Sequence, residues 1–200
     1  MGLPNFNRLV ESLIIAGLLA SGCQSGGNKT DSGLAGEKLK IVTTVAPITS
    51  IVENVAGDNV TITGIIPEGI NSHTYEPIPS DSRLLSGADL IIVNGLLLET
   101  PTMELAQANL KNGASIFALG DRAIDQADYV FDFSFPKEQG HPNPHLWLNP
   151  EYAMRYATLV RDELVRLDPK NKDAYKRNTA LFLKKLEILD AAIKEAVSTI

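Results

Sequence analysis

Residues 60–94, VTITGIIPEGINSHTYEPIPSDSRLLSGADLIIVN, contain the pattern that decides the fold. The β-branched run at 60–66 predicts a strand, and residues 80–87 show a short helical pattern with Ser80 as the expected N-cap. Residues 89–94 are nearly all apolar, which is typical of a strand buried on both faces of a parallel sheet. The order strand, helix, strand therefore predicts a βαβ unit.

The loop between the first strand and the helix, residues 67–81, carries His73. In open α/β sheets, ligands bind beyond the carboxyl ends of the strands, which is where this loop is expected to lie. Two interpretations are open at this point. His73 is either a ligand-binding residue or an ordinary exposed loop histidine.

The same alternation continues outward on both sides of this unit. Further strands are predicted at 39–45 and 114–119, and further helices at 48–56 and 102–112. Short apolar strands that alternate with helices favour a parallel sheet covered by helices. We therefore predict an α/β fold, a Rossmann-like lobe with flanking helices, over residues 39–168.

Two helices are predicted to complete the chain. The first covers residues 151–167, and Asp168 and Pro169 then provide an N-cap and a first-turn proline for a second helix. We expect residues 169–200 to form this long helix, with an exposed apolar stripe that continues to the last residue. The stripe consists of Phe182, Leu186, Leu189, Ile193, Val197 and Ile200.

Composition and charge exclude some classes of function. The 200 residues carry a formal net charge of −6, with a pI near 5.1, whereas a nucleic-acid-binding surface requires clustered Lys and Arg. The hydrophobic content of 44% is ordinary for a globular chain. A single cysteine allows neither an intramolecular disulfide nor a site built from several thiolates.

The N-terminal residues have the pattern of an export signal. Residues 13–20 (LIIAGLLA) form an apolar run shorter than the roughly 20 residues that cross a membrane, and small residues follow it. We predict a signal peptide at 1–22. Cys23 directly after it resembles the lipobox cysteine of bacterial lipoproteins, which implies that Cys23 is lipidated, although a buried or accidental cysteine is the alternative. Residues 23–38 are predicted to be a flexible tether.

All three histidines fall in predicted loops, namely His73, His141 and His145. Prolines flank them and restrict the backbone, which reduces the entropy lost when a ligand binds. Neutral imidazole binds zinc and also suits other transition metals. We expect His141 to be an exposed residue, and assistance in metal capture is the alternative.

Three segments together resemble a known family. Residues 69–81 (GINSHTYEPIPSD), 88–95 (ADLIIVNG) and 143–150 (NPHLWLNP) are similar to segments of the zinc- and manganese-binding lipoproteins of bacterial ABC importers. This resemblance implies two α/β lobes joined by a long helix, with a metal ion bound between the lobes. It implies that His73 and His145 are the metal ligands of the first lobe.

The resemblance also implies a cellular role. We expect a monomeric extracytoplasmic solute-binding protein that is anchored to the cell membrane by lipid, at the cell surface or in the periplasm. It would capture Zn²⁺ or Mn²⁺ and deliver the ion to an ABC permease, with no contact with nucleic acid. The second lobe, with the remaining ligands that decide between the two metals, is expected to lie beyond residue 200, so that the connecting helix is truncated.

Three residues near the histidines are candidates for supporting roles. Asn143 stands where many relatives have Asp, which is expected to alter the hydrogen bonding of His145. Glu76 is interpreted either as orienting a histidine ring or as capping a turn. Asp81 is expected to be a helix-terminal carboxylate.

Two alternative functions compete with metal capture. A zinc hydrolase requires three protein ligands and a general base, and the chain contains no HExxH, GxSxG or P-loop pattern. We therefore predict that the protein is not an enzyme. A cell-surface adhesin built on the same fold is the second alternative.

Overall fold

A computed structural model describes residues 37–198. The predicted signal peptide, the lipidation of Cys23 and all of the tether before residue 37 lie outside the described residues.

Within residues 37–198, four parallel strands form one sheet in the order β2–β1–β3–β4. The register pairs Val42 with Thr63 on one side of β1 and with Ile91 on the other. All four residues of β3 are buried, as expected for a strand that is covered on both faces of the sheet. The predicted α/β fold with a parallel sheet is confirmed. The strands are β1 Lys40–Thr43, β2 Thr61–Gly64, β3 Leu90–Val93 and β4 Ser115–Ala118.

In the described part of the chain, six α-helices connect and follow the strands. The helices α1, α5 and α6 contact one another, and α2 contacts α3. Within α1, the apolar residues recur at helical spacing and bury one face of the helix. The helices are α1 Ala46–Ala56, α2 Pro79–Gly87, α3 Thr100–Asn109, α4 Gly120–Ala123, α5 Pro150–Leu167 and α6 Lys172–Val197.

The start of α2 differs from the expectation. The helix begins at Pro79, so Ser80 lies inside its first turn and is not the N-cap. The capping group is the buried carboxylate of Asp81, which accepts hydrogen bonds from the Ile78 N–H at 2.9 Å and the Tyr75 hydroxyl at 2.7 Å. The assignment of Ser80 was wrong because Pro79 occupies the first helical position, which makes Ile78 the N-cap residue, and the Asp81 side chain bonds back to its N–H.

The chain after α5 also begins its last helix later than expected. Asp168 precedes a short 3₁₀ turn, Pro169–Asn171, and α6 starts only at Lys172. The Asp168 carboxylate accepts hydrogen bonds from Asn171 at 2.7 Å and from the buried Tyr175 hydroxyl at 2.6 Å. The carboxylate therefore stabilises the junction between α5 and α6.

The apolar stripe of α6 is divided between core and solvent. Phe182 is half-buried against the hydrophobic core, whereas Leu189, Ile193 and Val197 are exposed. Within residues 37–198, no helix combines the length and the hydropathy that crossing a membrane requires.

Candidate metal centre

His73 lies in a loop at the carboxyl end of β2. The backbone N–H groups of Ile65 and Ile66 extend the pairing beyond β2 by donating to Thr43 and Thr44. The chain then turns, and the side-chain oxygen of Asn71 accepts a hydrogen bond from the backbone N–H of His73 at 3.0 Å. The imidazole is thereby presented to solvent at the edge where ligands of parallel sheets bind.

His145 lies in a second loop, which the end of β3 holds in place. Asn94 follows β3 directly, and its buried amide nitrogen donates to the carbonyl oxygen of Pro144 at 3.0 Å. The hydroxyl of Tyr156 donates to the Asn94 side-chain oxygen at 3.0 Å. A strand and a helix therefore fix the backbone next to His145, which is half-buried.

The segment after His145 begins α5. Asn149 is the N-cap, because its side-chain oxygen accepts from the backbone N–H of Glu151 at 2.8 Å, and Pro150 occupies the first helical position. The short 3₁₀ turn Leu146–Leu148 joins the histidine to this cap. The second half of NPHLWLNP thus has a structural explanation as a helix start.

The two histidine side chains meet although 72 positions separate them. Their Nε2 atoms lie 3.1 Å apart, and their ring centroids lie 5.2 Å apart. The rings border an open groove of about 700 Å³ that Pro47, Ser50 and Trp147 also line. The structure therefore brings together the two residues that the sequence selected as ligands.

Hydrogen bonding defines which nitrogen of His145 carries its hydrogen. The side-chain oxygen of Asn143 lies 2.8 Å from Nδ1 of His145 and also accepts from the His145 backbone N–H at 3.0 Å. A carbonyl oxygen only accepts, so Nδ1 is the protonated nitrogen. The lone pair of Nε2 then points toward His73.

Aromatic rings surround the two imidazoles. The Phe135 ring lies 5.8 Å from that of His73 and 5.5 Å from that of His145, and Trp147 contacts His145 edge to face at 5.2 Å. Residues 132–135 form a turn, in which Asp132 and Phe135 exchange reciprocal backbone hydrogen bonds. That turn places Phe135 over the histidine pair.

The environment favours the neutral form of His145. Burial lowers the pKa of His145 below its ordinary value, and the adjacent His73 lowers it further, while the carboxylate of Asp132 acts in the opposite direction. Neutral imidazole is the form that binds metals, because the proton and the metal compete for the same lone pair.

The remaining residues considered from the sequence lie apart from the pair. His141 is exposed, as expected. Glu76 is exposed as well, and within residues 37–198 neither its carboxylate nor any third His, Cys, Asp or Glu joins the two histidines in a group able to hold a metal. Two residues that support the pair, Asn94 and Phe135, were not predicted from the sequence. For Asn94, the available signal was a polar residue directly after a buried strand, and for Phe135 there was none.

The fold and the histidine pair define a class, the α/β lobes that present imidazoles at the carboxyl edge of a parallel sheet. A family model described as zinc-uptake complex component A, periplasmic (ZnuA), matches residues 41–200. The chain belongs to this family, which confirms the resemblance drawn from the three sequence segments.

Curated relatives show the same likeness. The chain is 36% identical over 187 residues to the metal ABC transporter substrate-binding lipoprotein FimA of Streptococcus parasanguinis, and the match covers 94% of this chain and 59% of the relative. It is 37% identical over 192 residues to the manganese ABC transporter substrate-binding lipoprotein PsaA of Streptococcus pneumoniae, with the same two coverages of 94% and 59%. The chain thus spans about 59% of the length of these relatives.

Solved structures agree with the fold. A cadmium-bound periplasmic metal binding protein from Candidatus Liberibacter asiaticus is 30% identical with a TM-score of 0.71, covering 82% of this chain and 58% of that one. Zinc-bound AdcA from Streptococcus pneumoniae is 26% identical with a TM-score of 0.66, covering 78% of this chain and 32% of that one. The names of these relatives describe metal binding or transport rather than catalysis, so the hydrolase alternative is not favoured.

Proposed function

We propose that this chain is the metal-capturing part of an extracytoplasmic solute-binding lipoprotein, which delivers Zn²⁺ or Mn²⁺ to an ABC permease. The observation that carries the proposal is the 3.1 Å separation of the Nε2 atoms of His73 and His145. Two nitrogens bound to one tetrahedral zinc ion, each about 2.0–2.1 Å from the metal, lie about 3.3 Å apart. The pair therefore needs only a small adjustment to bind one ion.

His73 and His145 are the proposed ligands, and each would bind through Nε2. The Nδ1 hydrogen bond of His145 to Asn143 supports this assignment, because it leaves the lone pair of Nε2 on the side of the groove. Two imidazoles bind several divalent transition metals, and the further ligands of the ion determine which one is preferred.

The surrounding organisation follows from the same proposal. Residues 39–168 form the metal-binding lobe, and residues 169–200 belong to the helix that connects it to a second lobe. Cys23 carries the lipid anchor and residues 24–38 act as the tether, so that a monomer works beside its permease in the membrane. Adhesion at the cell surface is a separate hypothesis that the histidine pair does not address.

Substitution of the histidines tests the ligand assignment. We expect His73→Ala and His145→Ala each to weaken binding of Mn²⁺ and Zn²⁺ by the natural protein in calorimetric titrations, and to reduce metal uptake by cells. His141→Ala is the matched control, because His141 is exposed in a neighbouring loop. Unchanged affinity in both of the first two variants would contradict the proposal.

A further inference from the structure

The carboxylate of Asp132 connects the two features that surround His145. Its Oδ1 accepts hydrogen bonds from the backbone N–H groups of Ser134 at 2.8 Å and Phe135 at 3.0 Å. Its Oδ2 accepts from the side-chain amide nitrogen of Asn143 at 2.6 Å. One side chain thus contacts both the turn that carries Phe135 and the amide that contacts the His145 ring.

The contact with Asp132 restricts the orientation of the Asn143 amide. An ionised carboxylate only accepts hydrogen bonds, so Asn143 must direct its NH₂ group toward Asp132. Its oxygen then lies toward His145, where it accepts from both the backbone N–H and Nδ1. The reversed amide would direct NH₂ at Nδ1 and favour the tautomer with its hydrogen on Nε2, the nitrogen that lies 3.1 Å from His73.

We propose that Asp132 is a positioning residue of the metal centre, which acts through Asn143 to hold His145 in the Nδ1–H tautomer while its other oxygen holds Phe135 against both imidazoles. The expected effect of Asp132 on metal affinity rests on the proposed function. Its structural part, the tautomer of His145, is measurable in the protein without added metal.

The single substitution Asp132→Asn removes the orienting acceptor. The introduced amide cannot accept from Ser134 and Phe135 through its oxygen without directing its own NH₂ at the NH₂ of Asn143. We expect a mixture of His145 tautomers in ¹H–¹⁵N correlation spectra of the imidazole nitrogens. We also expect about 10-fold weaker binding of Mn²⁺ or Zn²⁺, the lower end of the loss typical for residues that orient metal ligands.

A double variant separates the effect of Asp132 on the orientation of Asn143 from general damage to the loop. In Asp132→Asn with Asn143→Asp, the introduced amide donates to the introduced carboxylate, and its oxygen still accepts from Ser134 and Phe135. Every hydrogen bond is then satisfied again, and we expect the Nδ1–H tautomer and most of the affinity to return. Asp128→Asn is the control, because Asp128 is an exposed acidic residue of the same segment.

The outcomes distinguish the two proposals. An unchanged tautomer in Asp132→Asn, or a double variant with no more recovery than the single one, would overturn the role of Asp132. If the tautomer shifts as expected but neither His73→Ala nor His145→Ala alters metal binding, the positioning role stands and the proposed function fails. Restoration of both the tautomer and the affinity in the double variant would support the inference.

Discussion

The side chain of Asn94 and the carbonyl group of Pro144 join the central strand to the loop of His145 by a buried hydrogen bond of 3.0 Å. Asn94 is fully buried, and it begins the loop immediately after the all-apolar strand β3. The position of one proposed ligand thus depends on a polar residue that lies 50 positions before Pro144 in the sequence.

Removal of this link should affect both stability and the site. We expect Asn94→Ala to lower the free energy of unfolding by about 1–3 kcal/mol, because it leaves the Pro144 carbonyl and the Tyr156 hydroxyl without partners. We also expect weaker metal binding, because the His145 loop loses its attachment to β3. Denaturant unfolding and calorimetric metal titration measure the two effects.

Tyr156→Phe is the control for this experiment. It removes the hydroxyl that donates to Asn94 but keeps the bond from Asn94 to Pro144. We expect a stability loss of about 1 kcal/mol with little change in metal affinity. A loss of affinity as large as that of Asn94→Ala would show that stability alone, rather than the Pro144 link, determines binding.

The ring of Phe135 should contribute to metal affinity through its contacts with both imidazoles. Aromatic contacts of this kind contribute about 0.5–1.5 kcal/mol, so we expect Phe135→Leu to weaken binding by about 2- to 10-fold in calorimetric titration. Phe133→Leu is the matched control, because the Phe133 side chain is fully exposed two residues away. Equal affinities for the two variants would exclude a role for the ring.

The buried carboxyl group of Glu99 should produce a pH dependence of stability. Burial raises the pKa of Glu99, although hydrogen bonds from Thr44 and from the N–H groups of Asn94 and Gly95 oppose the shift. The folded state therefore binds the proton more tightly than the unfolded state. Proton binding by Glu99 therefore stabilises the folded state. This stabilisation is complete below the pKa of Glu99 in the unfolded chain, about 4.3, and is lost as the pH rises through the raised pKa of the folded state.

Unfolding experiments at a series of pH values can isolate this effect. We expect Glu99→Gln to remove the part of the pH dependence that lies above the ordinary glutamate pKa, because the variant has no carboxyl group to titrate. Glu104→Gln, at an exposed position in α3, should retain the dependence of the unsubstituted protein. If the free energy of unfolding changes with pH in the same way for Glu99→Gln and for the unsubstituted protein, Glu99 does not cause the pH dependence.

The loop after Asn94 contains a strained backbone. Leu96 and Leu97 have φ values of 53° and 63°, in the left-handed region, where a residue with a side chain costs about 1–2 kcal/mol. The Leu97 side chain is 57% exposed and therefore contributes little packing. We expect Leu97→Gly to raise the free energy of unfolding by up to about 1 kcal/mol in denaturant titrations.

An exposed leucine with an ordinary backbone provides the comparison. Leu110 follows α3 with a φ of −65°, so Leu110→Gly relieves no strain and should lower stability by about 0.5–1 kcal/mol. If both substitutions destabilise the protein to the same extent, the left-handed conformation of Leu97 is not a source of strain.

Much of the fold was predictable because its signals are local. The apolar run of β3, the helical spacing in α1 and the Asn-Pro start of α5 each follow from residues close in the chain. The boundaries were less accurate at α2, where the carboxylate of Asp81 serves as the cap in place of Ser80. Ser80 and Asp81 both suit a helix start, and the sequence does not show that Pro79 occupies the first helical position.

The sequence by itself determined the parallel α/β fold and the family, and it selected two histidines as candidate ligands, because periodicity and short motifs are visible in the sequence. Only the tertiary structure decided how the site is built: Asn94 holds the His145 loop, Phe135 packs on both imidazoles, and Asp132 contacts Asn143. These contacts join residues from separate loops. Their geometry depends on how the sheet brings its carboxyl ends together, and no local pattern in the chain encodes it.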